Sequence, residues 1–149
     1  AHIAGVAADA GATVSVDPGR RLADRDYGAV LSNADVVFVN DREAKAVLDA
    51  PPKEAFRDQV LVVKHGAAGA EVHAPEGHFE HPGFGIEPVD TTGAGDAFAA
   101  AFIAARLDDR GYDDALERAN AAGAYTASTE GARQAPTADA LDAFIAERT

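Results

Sequence analysis

Asp96 stands directly after Gly93-Ala94-Gly95, and that spacing is the chemically richest in the chain. Upstream, Pro82, Gly83, Gly85 and Pro88 break regular structure, while residues 97–107 are almost wholly apolar and helix-forming. The two glycines therefore sit where the first N–H groups of a helix point outward. Such a helix end carries partial positive charge and attracts phosphate and other anions. Glycine at 93 and 95 lets an anion approach the main chain closely. A carboxylate in the same first turn can take the proton from a hydroxyl that attacks phosphorus. The plain alternative is a glycine turn followed by an ordinary first-turn acid, because acids are common at helix starts. Two rival phosphate motifs fail. A dinucleotide fingerprint needs a small residue where Phe98 stands, and Gly-Lys-Ser/Thr occurs nowhere.

A second polar set follows the apolar run Val36–Val39. Asn40 and Glu43 lie just past it, at the strand end where open α/β sheets bind ligands. Hard cations prefer such oxygen donors. Helix capping by Asn40, with Glu43 in the first turn, explains the same residues without a ligand. Arg42 reads as a solvated surface charge, and Asp108-Asp109 and Asp113-Asp114 as acidic surface. His78 and His81 point to opposite faces if they share a strand, and no third ligand converges on them, so no zinc site is expected. His2 and His73 carry no assignment.

These residues need elements to position them. Ile3–Ala10 reads as the end of a helix closed by Gly11, and Val14–Val16 as a short buried strand broken by Pro18-Gly19. Asp26–Ser32 predicts a short helix. Val36–Val39 predicts a strand covered on both faces, followed by a helix over Asp41–Leu48 that ends at Pro51-Pro52. Val60–Val63 is a further buried strand. Gly66 and Gly69 flank a turn into a hairpin over Ala70–Ala74, with another short strand at His78–His81. Asp96–Leu107 predicts a central, buried helix, Tyr112–Ala127 a second and Thr137–Ile145 a third. Thr137 caps the last, with Ala140, Leu141, Phe144 and Ile145 on its inner face. Strands alternating with helices, then a helical tail, predict a three-layer α/β/α sheet domain. No internal repeat or linker divides residues 1–149, which read as a single domain.

Composition narrows the partners. Asp and Glu number 25 against 13 Lys and Arg, for a formal net charge of −12. Such a surface repels nucleic acid and anionic membranes. Lysine is scarce, confined to Lys45, Lys53 and Lys64. Acid excess with little lysine and much alanine points to a salt-adapted halophile protein, in which salt screens the self-repulsion. An ordinary acidic protein is the alternative. The chain has no cysteine, so no disulfide framework or thiolate metal site is available. No secretory leader and no apolar run long enough to span a bilayer are apparent, which predicts a cytoplasmic enzyme.

Asp90-Thr91-Thr92-Gly93-Ala94-Gly95-Asp96 resembles the C-terminal signature of the PfkB/ribokinase family of carbohydrate and nucleoside kinases. The resemblance extends to Val14-Ser15-Val16-Asp17-Pro18, to Val36–Glu43 with its Asn-x-x-Glu motif, and to Val60–Gly66 with Gly69-Ala70. It covers essentially all 149 residues and matches the second half of such a kinase. It implies a ribokinase-like, Rossmann-like fold whose first half, with the lid and much of the sugar pocket, is missing from this sequence. It implies transfer of the γ-phosphate of MgATP to a carbohydrate hydroxyl, with Asp96 as catalytic base and Gly93, Ala94 and Gly95 as the anion hole.

By the same resemblance, Asn40 and Glu43 organise Mg²⁺ and phosphate, partly through water. Lys64 meets a phosphate and Gly66 borders the nucleotide; a strand-end lysine in solvent is the alternative. Asn120 falls near the adenine, and is otherwise a weak helix former without obvious purpose. Asp90 and Thr92 match positions that hold a monovalent cation, usually K⁺, with carbonyls around Ala127 and Gly131 completing the site. The segment Arg133–Pro136 departs from the usual family ending. A small-molecule sugar is the expected partner, nucleosides and sugar acids remain open as acceptors, and ADP remains open as donor. Arg20 and Arg21 would favour a charged substrate, with surface arginines as the alternative. Two other readings stay open: a non-catalytic nucleotide-binding module, and a half-kinase that works only with a partner chain. A full-length chain with a lid would be expected to form a homodimer.

Overall fold

The computed structural model describes residues 2–19, 28–49, 58–130 and 135–149. In chain order the elements are α1 (His2–Asp9), β1 (Ser15–Val16), α2 (Gly28–Leu31), β2 (Val36–Asn40), α3 (Asp41–Asp49), β3 (Val60–Lys64), β4 (Ala70–Ala74), β5 (Gly77–His81), α4 (Ala94–Leu107), α5 (Tyr112–Ala127) and α6 (Ala138–Ala146). A short 3₁₀ turn over Gly66–Ala68 links β3 to β4. The five strands form one sheet in the order β1-β2-β3-β4-β5. The described chain falls into two compact units, residues 1–64 with 72–78, and residues 65–71 with 79–149. The boundary runs through the β4–β5 hairpin, where the sequence shows no linker.

In the first unit β1, β2 and β3 are parallel. Val36 pairs with Ser15 on one side and Val60 on the other, and Asn40 pairs with Lys64. Parallel neighbours need crossover connections, and α3 supplies the one between β2 and β3. Val36–Val39 are all buried, as a strand covered on both faces requires. Val37, Val39, Leu61 and Val63 form one core cluster with Ala34 and Ala44, flanked by Val14, Val16 and Leu31. Asp35 fixes the entry to β2, its Oδ2 accepting the Val14 N–H at 2.7 Å. Gly11, at φ +74°, closes α1 in the left-handed conformation that glycine adopts without strain.

β4 and β5 are joined by Pro75-Glu76 alone, a connection only antiparallel neighbours can make. Gly69 enters β4 where a Cβ would lie 1.9 Å from the His81 carbonyl oxygen, so no larger residue fits without moving the backbone.

The second unit is built on helix packing. α4 packs along α5, and α5 against α6. Ala97, Ala121, Ala122, Leu141 and Phe144 form its core cluster, against which Phe84, Ile86 and Tyr125 pack. Phe84 and Tyr125 both meet the Phe144 ring nearly edge-on, a favoured aromatic geometry. Gly123 brings α5 close to the start of α4: a Cβ there would sit 3.3 Å from the Ala94 carbonyl oxygen. The Thr137 side chain caps α6 by accepting the Ala140 N–H at 3.2 Å.

Three expectations change: β1, expected to be buried, leaves Ser15 exposed and Val16 half-buried, and α4 differs in its start and in its burial. α4 begins at Ala94, so the glycine run is partly helical. It is also buried on one face only: Ala97, Phe98, Phe102 and Ala105 are covered, whereas Leu107 is 72% exposed. An alanine-rich helix gives an apolar reading all round, although only its larger side chains mark the buried face. The predicted helix over Asp26–Ser32 is α2, Gly28–Leu31, its start lying outside the described residues. Pro51-Pro52, Arg20, Arg21 and Gly131–Gln134 also lie outside them.

Candidate functional site

The loop before α4 is shaped by its own backbone. Asp90 Oδ1 accepts the Thr92 N–H at 2.9 Å, an Asx turn that reverses the chain. The carbonyl of Thr91 accepts the Ala94 N–H at 3.2 Å. Gly93 caps the helix at φ +81°, a left-handed conformation that explains why glycine stands there. Its carbonyl accepts the Ala97 N–H at 2.9 Å and so starts the helical ladder.

The N–H groups of Gly93, Gly95 and Asp96 have no partner among the described residues. Three donors thus remain open at the positive end of a fourteen-residue helix, the arrangement that binds anions. Ala94, expected in the anion hole, spends its N–H on the turn, whereas the Asp96 N–H stands open among the described residues. The Asp96 carboxylate is exposed and makes no hydrogen bond or ion pair among the described residues. It is an uncommitted acceptor in the first turn of the same helix.

Asp90 and Thr92 are brought together by the Asx turn. The Ala127 carbonyl, expected beside them as a cation ligand, accepts the N–H groups of Val89 and Asp90 at 2.8 and 3.2 Å. Both of its lone pairs are therefore engaged by the main chain. Sequence reasoning passed over Thr126, which is 2% exposed with its hydroxyl buried and unpartnered among the described residues. Asn120, also on α5, is buried, and its Nδ2 donates to the Leu116 carbonyl at 2.8 Å. That bond to its own helix gives this amide nitrogen a structural partner.

At the other end of the chain, Asn40 and Glu43 form a reciprocal capping box on α3. Asn40 Oδ1 accepts the Glu43 N–H at 2.9 Å, and Glu43 Oε2 accepts the Asn40 N–H at 3.0 Å. Glu43 is only 6% exposed, so its carboxylate is held rigidly. Its second oxygen accepts nothing from the described residues, which leaves one hard oxygen donor free. Lys64, beside Asn40 in the sheet register, pairs with Asp17 at 2.6 Å, and its ammonium stands 5.9 Å from the centre of the Phe38 ring. Its charge is compensated rather than loose in solvent. The sequence offered no signal for this pair, whose members lie 47 residues apart.

Gly66 opens the 3₁₀ turn after β3 at φ +61°, where a side chain would be strained but would meet nothing within 4 Å. The segment between β5 and α4 is anchored by His81. Its Nδ1 accepts the Gly83 N–H at 3.0 Å, and its ring packs on Phe84 with centroids 5.2 Å apart. Burial lowers the His81 pKa below its usual 6.5, partly offset by the nearby charge of Glu117.

Parallel strands β1 to β3 with their crossover helix, the β4–β5 hairpin and the helices α4 to α6 make an α/β fold of the ribokinase-like class. Residues 1–139 match the pfkB family carbohydrate kinase profile, and the chain belongs to that family.

Among its relatives is the ATP-dependent ribose-1-phosphate kinase of Halopiger xanaduensis, 58% identical over 99% of this chain and 51% of that protein. The ligand-free nucleoside kinase of Burkholderia thailandensis superposes with a TM-score of 0.86 at 27% identity, covering 95% of this chain and 50% of that one. A structure from E. coli described as ribokinase II, in complex with ATP and Mg²⁺, has a TM-score of 0.84 at 26% identity, covering 97% and 52%. The chain thus spans about half the length of the relatives it matches.

Proposed function

We propose that this chain is the nucleotide-binding and catalytic part of an ATP-dependent sugar kinase, with ribose 1-phosphate as the acceptor to test first. The observation that carries the reading is the start of α4, where three N–H groups and the Asp96 carboxylate, all without a partner among the described residues, share one helical turn. The similarity to the ribose-1-phosphate kinase supports the acceptor.

In this reading Asp96 takes the proton from the acceptor hydroxyl. The hydroxyl oxygen bonds to the γ-phosphorus as the bond from that phosphorus to the β–γ bridging oxygen breaks, and ADP leaves. The N–H groups of Gly93, Gly95 and Asp96 stabilise charge developing on the transferred group, while Ala94 shapes the turn that exposes them. Glu43, oriented by Asn40, is the residue suited to hold Mg²⁺ directly or through water; the free, rigid carboxylate oxygen fits that role. Bound Mg²⁺ would neutralise phosphate charge during transfer.

Lys64 meets a phosphate by exchanging its Asp17 partner, and Gly66 borders the nucleotide. Asn120 lies toward the adenine through the amide oxygen and the N–H not given to Leu116. Asp90 and Thr92 flank a monovalent cation, K⁺ before Na⁺. The protein works in a salt-rich cytoplasm. Among the described residues no helix is long and apolar enough to cross a membrane.

The test is phosphoryl transfer from ATP in concentrated KCl, using the protein expressed from its native gene, with ribose 1-phosphate, ribose, fructose and nucleosides compared. Turnover with ribose 1-phosphate, lost in Asp96→Asn while ATP still binds, is the expected result. Near-normal turnover of Asp96→Asn would sink the assignment of the base. A second reading is a module or half-kinase that binds nucleotide but turns over only with a further chain or segment. ATP binding with no turnover on any acceptor, and turnover restored by a separately supplied first half of a relative, would establish it.

A further inference from the structure

Asp17, Asn40 and Lys64 stand at the ends of three neighbouring strands, all in the first compact unit. Asp17 follows β1, Asn40 closes β2 and Lys64 closes β3. The pairing sets Asn40 beside Lys64, and carrying the β1 register one residue further sets Asp17 beside Phe38. β2 lies between the other two strands, so an ion pair from Lys64 to Asp17 must cross it. Adjacent strands are about 4.8 Å apart, and two such gaps are bridged only by a long side chain that reaches out.

Lys64 makes that reach. Its Nζ lies 2.6 Å from Asp17 Oδ2 and 5.9 Å from the centre of the Phe38 ring. Asp17 Oδ1 accepts the Gly19 N–H at 3.2 Å, an Asx turn that helps hold the carboxylate in place. The lysine side chain is 17% exposed and the aspartate 34%, so a ligand can reach the pair from solvent.

We infer, on the reading that Lys64 meets a nucleotide phosphate, that Asp17 is a positioning residue. It parks Lys64 across the end of β2 and so sets how tightly that phosphate is taken. With Lys64 parked, an incoming phosphate must displace a carboxylate before it gains the ammonium. Apparent affinity is reduced in proportion to the fraction of molecules in which Lys64 is free. A multiply charged polyphosphate gains more from that exchange than chloride does. The pair therefore withholds the ammonium from weak anions, as a site working in concentrated salt requires. Asp17 touches no reacting atom in this scheme and acts through Lys64 alone.

Calorimetric titration with MgATP, at one fixed KCl concentration, tests this on the protein expressed from its native gene. Asp17→Asn tightens ATP binding about two- to fivefold, the range expected of a partly exposed ion pair. Lys64→Met weakens it about tenfold or more, the loss of a charge-assisted hydrogen bond. In the Lys64→Met background Asp17→Asn no longer tightens binding, because the double-mutant cycle isolates what the two side chains share. Asp17→Glu restores the carboxylate and with it the parent's affinity. Melting without nucleotide shows that each variant is folded.

A pair serving stability alone would lower the melting temperature of Asp17→Asn and leave its ATP affinity where it was. That result, or weaker ATP binding by Asp17→Asn, overturns the parking role while Lys64→Met still reports the phosphate contact. Tightening that persists in the Lys64→Met background overturns it too, since Asp17 would then act on the phosphate by direct repulsion. Absence of ATP binding by the parent, or equal binding by Lys64→Met, sinks the phosphate reading of Lys64 and the role of Asp17 with it.

Discussion

The starts of α3 and α4 answer the same physical problem in opposite ways. Each helix begins with main-chain N–H groups that the helix itself cannot satisfy. At α3, side chains close the account locally: Asn40 takes the Glu43 N–H and Glu43 takes the Asn40 N–H. At α4 no side chain caps the helix, its cap residue is a left-handed glycine, and the N–H groups of Gly93, Gly95 and Asp96 stay open among the described residues. A satisfied end is what stability alone would select. An end left open at a conformation only glycine takes easily is what the proposed function needs for an anion to reach the main chain.

The comparison breaks first at Asp96. If the open end of α4 is catalytic, Asp96→Asn lowers kcat about 10²–10⁴-fold, the usual contribution of a general base, with ATP affinity nearly unchanged. Its melting temperature stays close to the parent's, because the carboxylate supports no contact among the described residues. A variant that loses stability and keeps its rate would make the α4 end structural, like that of α3.

Gly93→Ala tests the backbone in the same way. At φ +81° a Cβ costs about 1–2 kcal/mol, equivalent to roughly 3–8 °C in melting temperature for a domain of this size. Because the strain falls on the open donors, activity should fall further than this stability loss explains. Scanning calorimetry and steady-state kinetics on one preparation separate the two losses.

At α3 the two cap residues should part company. Asn40→Ala removes the acceptor for the Glu43 N–H and costs about 0.5–2 kcal/mol of stability. Glu43→Gln keeps an acceptor for the Asn40 N–H, so the melting temperature changes less. It does remove the free carboxylate oxygen, so the Mg²⁺ concentration for half-maximal activity should rise about tenfold or more. Equal Mg²⁺ requirements in parent and Glu43→Gln would confine α3 to a structural cap.

Much of this was legible because it is local. The Asn40–Glu43 cap, the bounds of α5, the Thr137 cap and the buried run of β2 each follow from a few neighbouring residues. What escaped reading depends on distance through the chain or on the path of the backbone. Lys64 could be seen at a strand end, but its Asp17 partner is 47 residues away. His73 and His78 are five residues apart, and only the register of the hairpin stacks them. Ala94 looked like one of three equivalent donors until the turn to Thr91 claimed its N–H. Periodicity also overstated the burial of α4, because alanine marks neither face.

The smallest effect belongs to His81, which extends the contrast into the segment leading to α4. Its Nδ1 accepts the Gly83 N–H, so the neutral ring is the form the native structure holds. Burial lowers its pKa below 6.5, with Glu117 pulling the other way. The unfolded chain therefore binds a proton here more readily than the folded one. Stability from this group is present above about pH 6.5 and is lost as the pH falls through the lowered native pKa. Denaturant titrations of the parent and of His81→Gln between pH 7.5 and pH 5 should diverge, the parent losing more stability on acidification. The variant keeps a side-chain acceptor for the Gly83 N–H but has nothing to protonate there. Parallel curves would mean that the ring is as easily protonated folded as unfolded. The segment before α4 would then be held by Phe84 packing and the close approach of Gly69 to Gly83, not by a hydrogen bond that acid can break.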